Sequence, residues 1–146
     1  MTEDKTIAIL VPCYNEEVTI SKVVSDFRAA LPEATIFVYD NNSTDRSREF
    51  AAEAGAVVRL ERRQGKGNVM RRMFADIEAD VYVLVDGDDT YDAASAPKLV
   101  DVLCAEGLDM VNGRRDGGSM EAYRRGHRFG NRLLTGLVST IFGNEF

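Results

Sequence analysis

Apolar runs that alternate with helical patterns divide most of the chain into strands and helices. Mostly apolar segments at 7–11, 35–39, 57–60, 81–85 and 110–112 are typical of strands buried on both faces. Between them, apolar residues recur at helical spacing, and the predicted helices are 20–31, 45–54, 65–77, 97–105 and 133–142. This alternation predicts an α/β fold: a three-layer, mostly parallel sheet with helices on both faces and right-handed crossovers.

Length and charge narrow the classes of protein that the chain can belong to. At 146 residues it is expected to be a single domain with a real core. A net charge of -6 argues against a general nucleic-acid binder. The basic residues stand in local groups, which suit a phosphate ligand better than a long polyanion. We expect Cys13 and Cys104 to be reduced in a cytoplasmic protein, since no signal peptide or membrane-length apolar run is present.

An acidic cluster follows the fourth predicted strand directly. Asp86 and Asp88 are two positions apart and can face the same side, at the edge where open α/β sheets bind ligands. Their charges repel unless a cation neutralises them, and hard oxygen ligands suit Mg2+ or Mn2+ bound jointly with a substrate phosphate. The alternative is an acidic loop that is simply solvated.

The segments after the first two predicted strands carry candidate nucleoside contacts. Pro12 is expected to end the first strand's ladder. Tyr14 can stack on a base, and Glu16 can accept hydrogen bonds from a nucleoside. Asp40 or Asn41 can read the Watson–Crick edge of a base. The alternative for both segments is that their polar residues only form turns and cap the helices that follow.

A basic, glycine-containing segment, 62–68, precedes the third predicted helix. The amino terminus of a helix binds phosphate through its free N–H groups, and Lys66 stands at that point. The spacing of Gly65 and Gly67 does not match a P-loop. A solvated basic turn is the alternative interpretation.

In this order, the motifs resemble those of the family 2 inverting glycosyltransferases, and most closely the polyprenyl-phosphate, dolichol-phosphate-mannose-synthase-like branch. The matching segments are 11–16, 40–45, 65–68, 86–88, 113–115 and 128–132. The resemblance covers essentially the whole chain and implies a GT-A nucleotide-sugar-binding domain. It also implies that residues 1–146 are the N-terminal part of a longer catalytic domain, so that we expect little activity from this part alone.

The resemblance implies inverting transfer of a sugar from a UDP or GDP sugar to a polyprenyl phosphate or another lipid or glycan acceptor, in cell-envelope polysaccharide biosynthesis. Asp86 and Asp88 would hold the metal, and Arg115 and Arg128 would contact the acceptor phosphate. The expected nucleotide-binding residues are Pro12, Tyr14, Glu16, Asp40, Asn41, Lys66 and Asp86. Many relatives carry a second Asp where Asn41 stands. A polyprenyl-phosphate acceptor is already anionic and needs no strong base, whereas a hydroxyl acceptor would need one. Asp89 is a candidate, but the resemblance implies that the usual base lies beyond these residues, so no catalytic base is assigned.

Other functions stay open at this point. A non-catalytic nucleotide-binding or receiver-like phosphoacceptor module would also place acidic residues at strand ends, but it would need a lysine after the fifth strand, where Asn112 and Gly113 stand. A sugar-phosphate nucleotidyltransferase would need a glycine-rich loop after the first strand, which 12–15 lacks. Arginines at 124–132 beside an apolar stripe allow peripheral membrane contact, with packing against further protein as the alternative.

Overall fold

The structure of the protein, a computed structural model, describes residues 5–113, and residues 5–112 belong to one compact unit. None of the helices in this part of the chain is long and apolar enough to cross a bilayer. A short 3-10 turn, Ala93–Ser95, precedes the last helix. The main elements are β1 (Ile7–Cys13), α1 (Ile20–Ala30), β2 (Thr35–Asp40), α2 (Ser47–Glu53), β3 (Val57–Leu60), α3 (Lys66–Asp76), β4 (Val81–Leu84) and α4 (Ala96–Glu106).

The sheet has the strand order β3-β2-β1-β4, and every pairing is parallel. β1 is therefore paired on both sides, with β2 and with β4. Parallel strands that alternate with helices present their carboxyl ends at one edge of the sheet. The segments after β1, β2 and β4 are the ones in which the sequence predicted ligand contacts, and this topology brings them to the same edge.

Helices cover both faces of the sheet, as the alternating pattern predicted. Along β1, Ile9 and Val11 pack with residues of α1, α2 and α4, whereas Ala8 and Leu10 pack with residues of α3. The same alternation in β2 places Val38 in the first of these cores. Each strand residue therefore has a fixed face, and a slip of one residue in register would exchange the two cores.

Pro12 ends one of the two ladders of β1 but not the other. Along a strand, the backbone N–H and C=O groups of alternate residues face the same neighbouring strand. The carbonyl of Leu10 accepts from the N–H of Val85 at 3.1 Å, so the backbone groups of Leu10 and Pro12 both face β4. Proline has no N–H to continue that ladder. On the other side, Cys13 still pairs with Asp40 of β2. The prediction that proline ends the ladder is thus correct for β4 and wrong for β2.

The predicted fifth strand at 110–112 is wrong in the described part of the chain. α4 is capped by Gly107, which has a φ of 62°, and the N–H of Leu108 donates to the carbonyl of Leu103 in the last turn of the helix. Met110 is 80 % exposed, and 110–112 has no ladder partner among the described residues. Two apolar residues followed by Asn112 bury too little surface to hold a strand without such a partner. The predicted helix at 133–142 lies outside the described residues.

The core on the α1 face yields a test with a matched control. Val24 is completely buried in α1, whereas Val18 is 90 % exposed just before that helix. We expect Val24→Ala to lower the free energy of unfolding by about 2 kcal/mol, because two methyl groups lose their burial and leave a cavity. Val18→Ala should change it by less than about 0.5 kcal/mol. Urea denaturation measures both, and equal losses would contradict the assigned core.

Candidate functional site

The carboxyl ends of β1, β2 and β4 and the start of α3 surround a cavity of about 300 Å3. Tyr14, which is half exposed, and Lys66 are both on its wall. A space of this size lies at the lower end of the range for small-molecule sites. The cavity is lined by Pro12, Cys13, Tyr14, Glu16, Asn41, Gln64, Gly65, Lys66, Val69, Asp86, Gly87 and Asp88.

A set of hydrogen bonds joins the loop after β1 to the loop after β2. The N–H of Asn15 donates to Ser43 Oγ at 2.9 Å, and Asn15 Oδ1 accepts from the N–H of Thr44 at 2.8 Å. The N–H of Glu16 donates to Ser47 Oγ at 2.7 Å. Asn15 has a φ of 55°, a conformation that asparagine tolerates better than most residues. We call these bonds the loop clasp; they fix the segment that carries the predicted nucleoside contacts.

The acidic loop after β4 is held against the start of α1. Thr19 Oγ1 donates to the carbonyl of Gly87 at 2.7 Å. A Cβ on Gly87 would lie 3.3 Å from Glu16 Cγ and 3.4 Å from Ile20 Cδ1, which is tight packing. A residue without a side chain therefore lets the acidic loop approach α1 closely. Asp86 and Asp88, on either side of this glycine, line the cavity.

Lys66 and Asp86 form an ion pair across the site. Lys66 is the first residue of α3, and its Nζ lies 2.6 Å from Asp86 Oδ1. The lysine side chain is 60 % exposed, so the pair contributes little to stability. The ammonium group of Lys66 therefore places a positive charge at the cavity, and it can leave Asp86 for a ligand with little loss of free energy.

Negative charge nevertheless exceeds positive charge among the side chains that line the cavity. Burial and the nearby carboxylate of Asp88 raise the pKa of Glu16 above its ordinary value of 4.5. Burial raises the pKa of the Cys13 thiol to about 11, so this residue lines the cavity as a neutral group rather than as a thiolate nucleophile. A cation placed between the carboxylates would relieve their repulsion.

The lining carboxylates fit a divalent cation that shares its ligands with a substrate. Among residues 5–113, no group of three or more His, Cys, Asp or Glu side chains is arranged to hold a metal ion. Asp86 and Asp88 provide hard oxygen ligands, and Asp88 Oδ1 also accepts from Thr90 Oγ1 at 2.6 Å. Mg2+ commonly takes one or two carboxylates plus substrate phosphates, which is the arrangement that this pair of residues suits.

Asp40 does not take the place that the sequence suggested. Its side chain has no exposed surface and it is absent from the cavity lining. Both of its carboxylate oxygens accept from the N–H of Ser43, at 3.3 and 3.1 Å, and Arg48 Nε lies 3.7 Å from Oδ2. In this structure the carboxylate is buried and committed to its own turn, and the base contact of Asp40 stays a prediction.

The remaining sequence predictions divide between the cavity and the part of the chain outside the described residues. Pro12, Tyr14, Glu16, Asn41 and Lys66 line the cavity, together with Asp86 and Asp88. Arg115 and Arg128, the predicted acceptor-phosphate contacts, lie outside the described residues. The sequence analysis did not predict the loop clasp or the hydrogen bond from Thr19 to Gly87. The bonded residues are 28 to 68 positions apart, and no sequence motif marks such pairs.

Comparison with known proteins gives a consistent result. Residues 8–142 match the sequence model of the glycosyl transferase family 2. The chain is similar to Protein RfbJ of Shigella flexneri, with 53 % identity over 123 residues that cover 84 % of this chain and 95 % of RfbJ. It is 39 % identical over 148 aligned positions to glycosyltransferase AglJ of Haloferax volcanii, covering 100 % of this chain and 48 % of AglJ. It therefore spans nearly all of one relative and about half of the other.

A third relative and the solved structures extend this likeness. A dolichyl-phosphate hexose transferase of H. volcanii is 31 % identical, with 94 % of this chain and 60 % of that protein covered. The structure is also similar to glucosyl-3-phosphoglycerate synthase of Mycobacterium tuberculosis in complex with Mn2+, UDP-glucose and phosphoglyceric acid. The TM-score is 0.74 at 26 % identity, and the match covers 95 % of this chain and 51 % of the other. These likenesses support the GT-A fold.

Thr19 provides a test of how the acidic loop is held. We expect Thr19→Val to lower the free energy of unfolding by about 1 kcal/mol, because it leaves the buried Gly87 carbonyl without its donor while keeping the side-chain shape. Thr19→Ser retains the hydroxyl group and should lose less. Chemical denaturation of the three proteins measures the difference. A valine variant as stable as the serine variant would show that the bond does not hold the loop.

Glu16 gives the fold a dependence on pH with a definite sign. Its pKa is raised in the folded protein, so the unfolded chain gives up this proton more readily. The carboxyl therefore destabilises the fold as pH rises from about 4.5 through the raised folded value, and has no such effect below that window. We expect Glu16→Gln to be more stable than the parent at pH 7, and the gain to disappear near pH 4. Thermal denaturation across this range tests it; a gain that grows on acidification would contradict it.

Proposed function

The chain belongs to glycosyl transferase family 2, and on that premise we propose that it transfers a sugar, with inversion, from a nucleoside diphosphate donor to an acceptor that carries a phosphate group. The observation that supports the donor site is the cavity at the carboxyl edge of the sheet. Candidate base, phosphate and metal contacts, Tyr14, Lys66 and Asp86, line this one space. Such a combination suits a nucleoside diphosphate better than it suits an uncharged sugar.

In this proposal, the loop after β1 holds the nucleoside. Tyr14 is 51 % exposed and free to stack on a base, while Glu16 accepts hydrogen bonds from the nucleoside. The loop clasp holds the backbone of both residues in place before a ligand arrives, which reduces the entropy lost on binding. UDP is the first candidate, since the similar mycobacterial synthase was solved with UDP-glucose; GDP is the second.

The diphosphate would lie between α3 and the acidic loop. Lys66 and the amino terminus of α3 offer positive charge, and Asp86 and Asp88 would hold Mg2+ or Mn2+. When bound, the metal ion neutralises charge that develops on the leaving diphosphate. Lys66 can turn from Asp86 to a phosphate oxygen, because its side chain is exposed. The carboxylates and the lysine thus act on the leaving group.

We propose a lipid phosphate as the acceptor. One relative is named a dolichyl-phosphate hexose transferase, and phosphoglyceric acid, bound in the similar solved structure, also carries a phosphate. An acceptor phosphate oxygen that attacks the anomeric carbon forms the new C–O bond as the bond to the nucleoside diphosphate breaks. That oxygen is already anionic near neutral pH, so the step needs no proton transfer to a base. A glycan hydroxyl would need one.

Donor binding can be tested with the metal and the nucleotide alone. We expect UDP with Mn2+ to raise the melting temperature by several degrees at about 100 times the Kd, because a ligand of the native state stabilises it by mass action. UDP without a divalent cation should shift it less. Differential scanning fluorimetry measures both, with GDP in parallel. The absence of a shift with either nucleotide at millimolar concentration would overturn the donor-site proposal.

The acidic pair provides a matched set of variants. Asp88→Asn is nearly isosteric and removes a charged ligand, so we expect it to weaken nucleotide binding in the presence of Mn2+ by at least tenfold while the fold is kept. Asp101→Asn makes the same change on an exposed position of α4 outside the cavity lining and should have no effect. Calorimetric titration compares them. If Asp88→Asn binds nucleotide and Mn2+ as the parent does, the acidic loop is only a solvated surface loop and does not hold the metal.

The acceptor proposal predicts a difference between two lipids of the same chain length. Because little activity is expected of residues 1–146 alone, the test uses single-turnover conditions with the protein in excess over a radiolabelled UDP sugar. We expect what label is transferred to pass to a polyprenyl phosphate and not to the corresponding polyprenol, because only the phosphate supplies an anionic nucleophile. NMR of the product should show the anomeric configuration opposite to that of the donor. Equal transfer to the polyprenol would contradict the phosphate acceptor, and retained configuration would contradict inversion.

A further inference from the structure

The side chain of Asn41 makes three hydrogen bonds to a neighbouring backbone segment. This residue follows β2 and is 3 % exposed. Its Nδ2 donates to the carbonyls of Glu61 and Arg63, at 2.9 and 2.8 Å, and its Oδ1 accepts from the N–H of Gly65 at 2.7 Å. The three bonds fix the orientation of the amide, since only a donor can face two carbonyls. Both amide hydrogens are therefore committed within the protein.

The segment that Asn41 holds runs from the end of β3 to the start of α3. Gln64, Gly65 and Lys66 of this segment line the cavity. Gly65 has a φ of 120°, and its carbonyl accepts the N–H groups of Asn68 and Val69 in the first turn of α3. The hydrogen bond from the Gly65 N–H to Asn41 thus fixes the point at which α3 begins. The direction of the α3 amino terminus and the starting point of the Lys66 side chain follow from it.

We propose that Asn41 is a positioning residue for the diphosphate of the ligand. It fixes segment 61–65 so that Lys66 and the first N–H groups of α3 point at the cavity. This inference rests on the proposed nucleotide site and deepens it. The sequence predicted that Asn41 contacts the base. Both N–H groups of the amide are committed within the protein, so only a lone pair of Oδ1 is left for such a contact, and the three bonds assign the side chain a second role.

An aspartate at this position cannot make the same contacts. A carboxylate would set an oxygen against the carbonyls of Glu61 and Arg63, replacing two attractions with two repulsions in a buried place. The consequence differs at Asn15, whose bonded atom is Oδ1, an acceptor that aspartate retains. Asn15→Asp is therefore a control for the added charge, because it makes the same chemical change in the loop after β1 without removing a bonded donor.

The first measurement needs no ligand. Amide hydrogen exchange followed by NMR gives the protection of Gly65 in the 146-residue chain and in Asn41→Asp, Asn41→Ala and Asn15→Asp. We expect both Asn41 variants to lose at least tenfold in protection at Gly65, while Leu10 and Val38 of the central strands keep theirs. Asn15→Asp should retain protection at Gly65. Parent-like protection at Gly65 in Asn41→Asp would overturn the inference.

The second measurement separates positioning from base reading. Calorimetry with UDP, GDP and inorganic pyrophosphate, each with Mn2+, compares the parent with the same variants. We expect Asn41→Asp to weaken all three on the order of tenfold, which leaves the ratio of UDP to GDP affinity unchanged. A loss confined to one nucleotide, with pyrophosphate binding kept, would mean that Asn41 reads the base. If the parent binds none of the three, the donor site fails, whereas the exchange experiment still decides whether Asn41 holds the segment.

Discussion

Parallel pairing of β1 on both sides is the constraint on which the rest of the site depends. With β2 on one side and β4 on the other, the segments that follow all three strands emerge at the same edge of the sheet. Pro12 ends the β4 ladder while β1 and β2 remain paired as far as Cys13 and Asp40. β1 and β4 thus separate where the cavity begins, whereas β1 and β2 stay paired there.

Polar side chains at this edge have two kinds of role. Ser43, Ser47 and the buried Asp40 bind backbone groups and shape the loops, and Asn41 holds the segment that leads to α3. Glu16, Asp86 and Asp88 instead line the cavity, where their charges repel one another. The first group stabilises the fold, whereas the second carries an unfavourable charge distribution that a bound cation would relieve. This division explains how a strained arrangement of acids is kept in place without a ligand.

The sequence predicted the parts of the fold that depend on local pattern. β3 begins and ends where the apolar run does, and α1, α3 and α4 follow the helical spacing within a residue or two. It also placed Tyr14, Glu16, Lys66 and the acidic pair at one edge, because strand ends in a parallel sheet meet there. It could not show that Asp40 is buried and bonded to its own turn, since whether a carboxylate faces a cavity or its own turn depends on packing. The strand expected at 110–112 failed because pairing requires a partner that local pattern cannot show.

The central claim is that the cavity at the carboxyl edge of β1, β2 and β4 binds a nucleoside diphosphate together with a divalent cation. Paramagnetic broadening by Mn2+ in the presence of UDP, read from amide NMR signals, tests it most directly, because the effect falls steeply with distance from the ion. The account predicts selective loss of the signals of Glu16, Gly87 and Asp88, and retention of those of Thr35 and Asp80, which lie at the opposite, amino end of the sheet. Broadening centred on any other surface, or spread evenly over the protein, would contradict it.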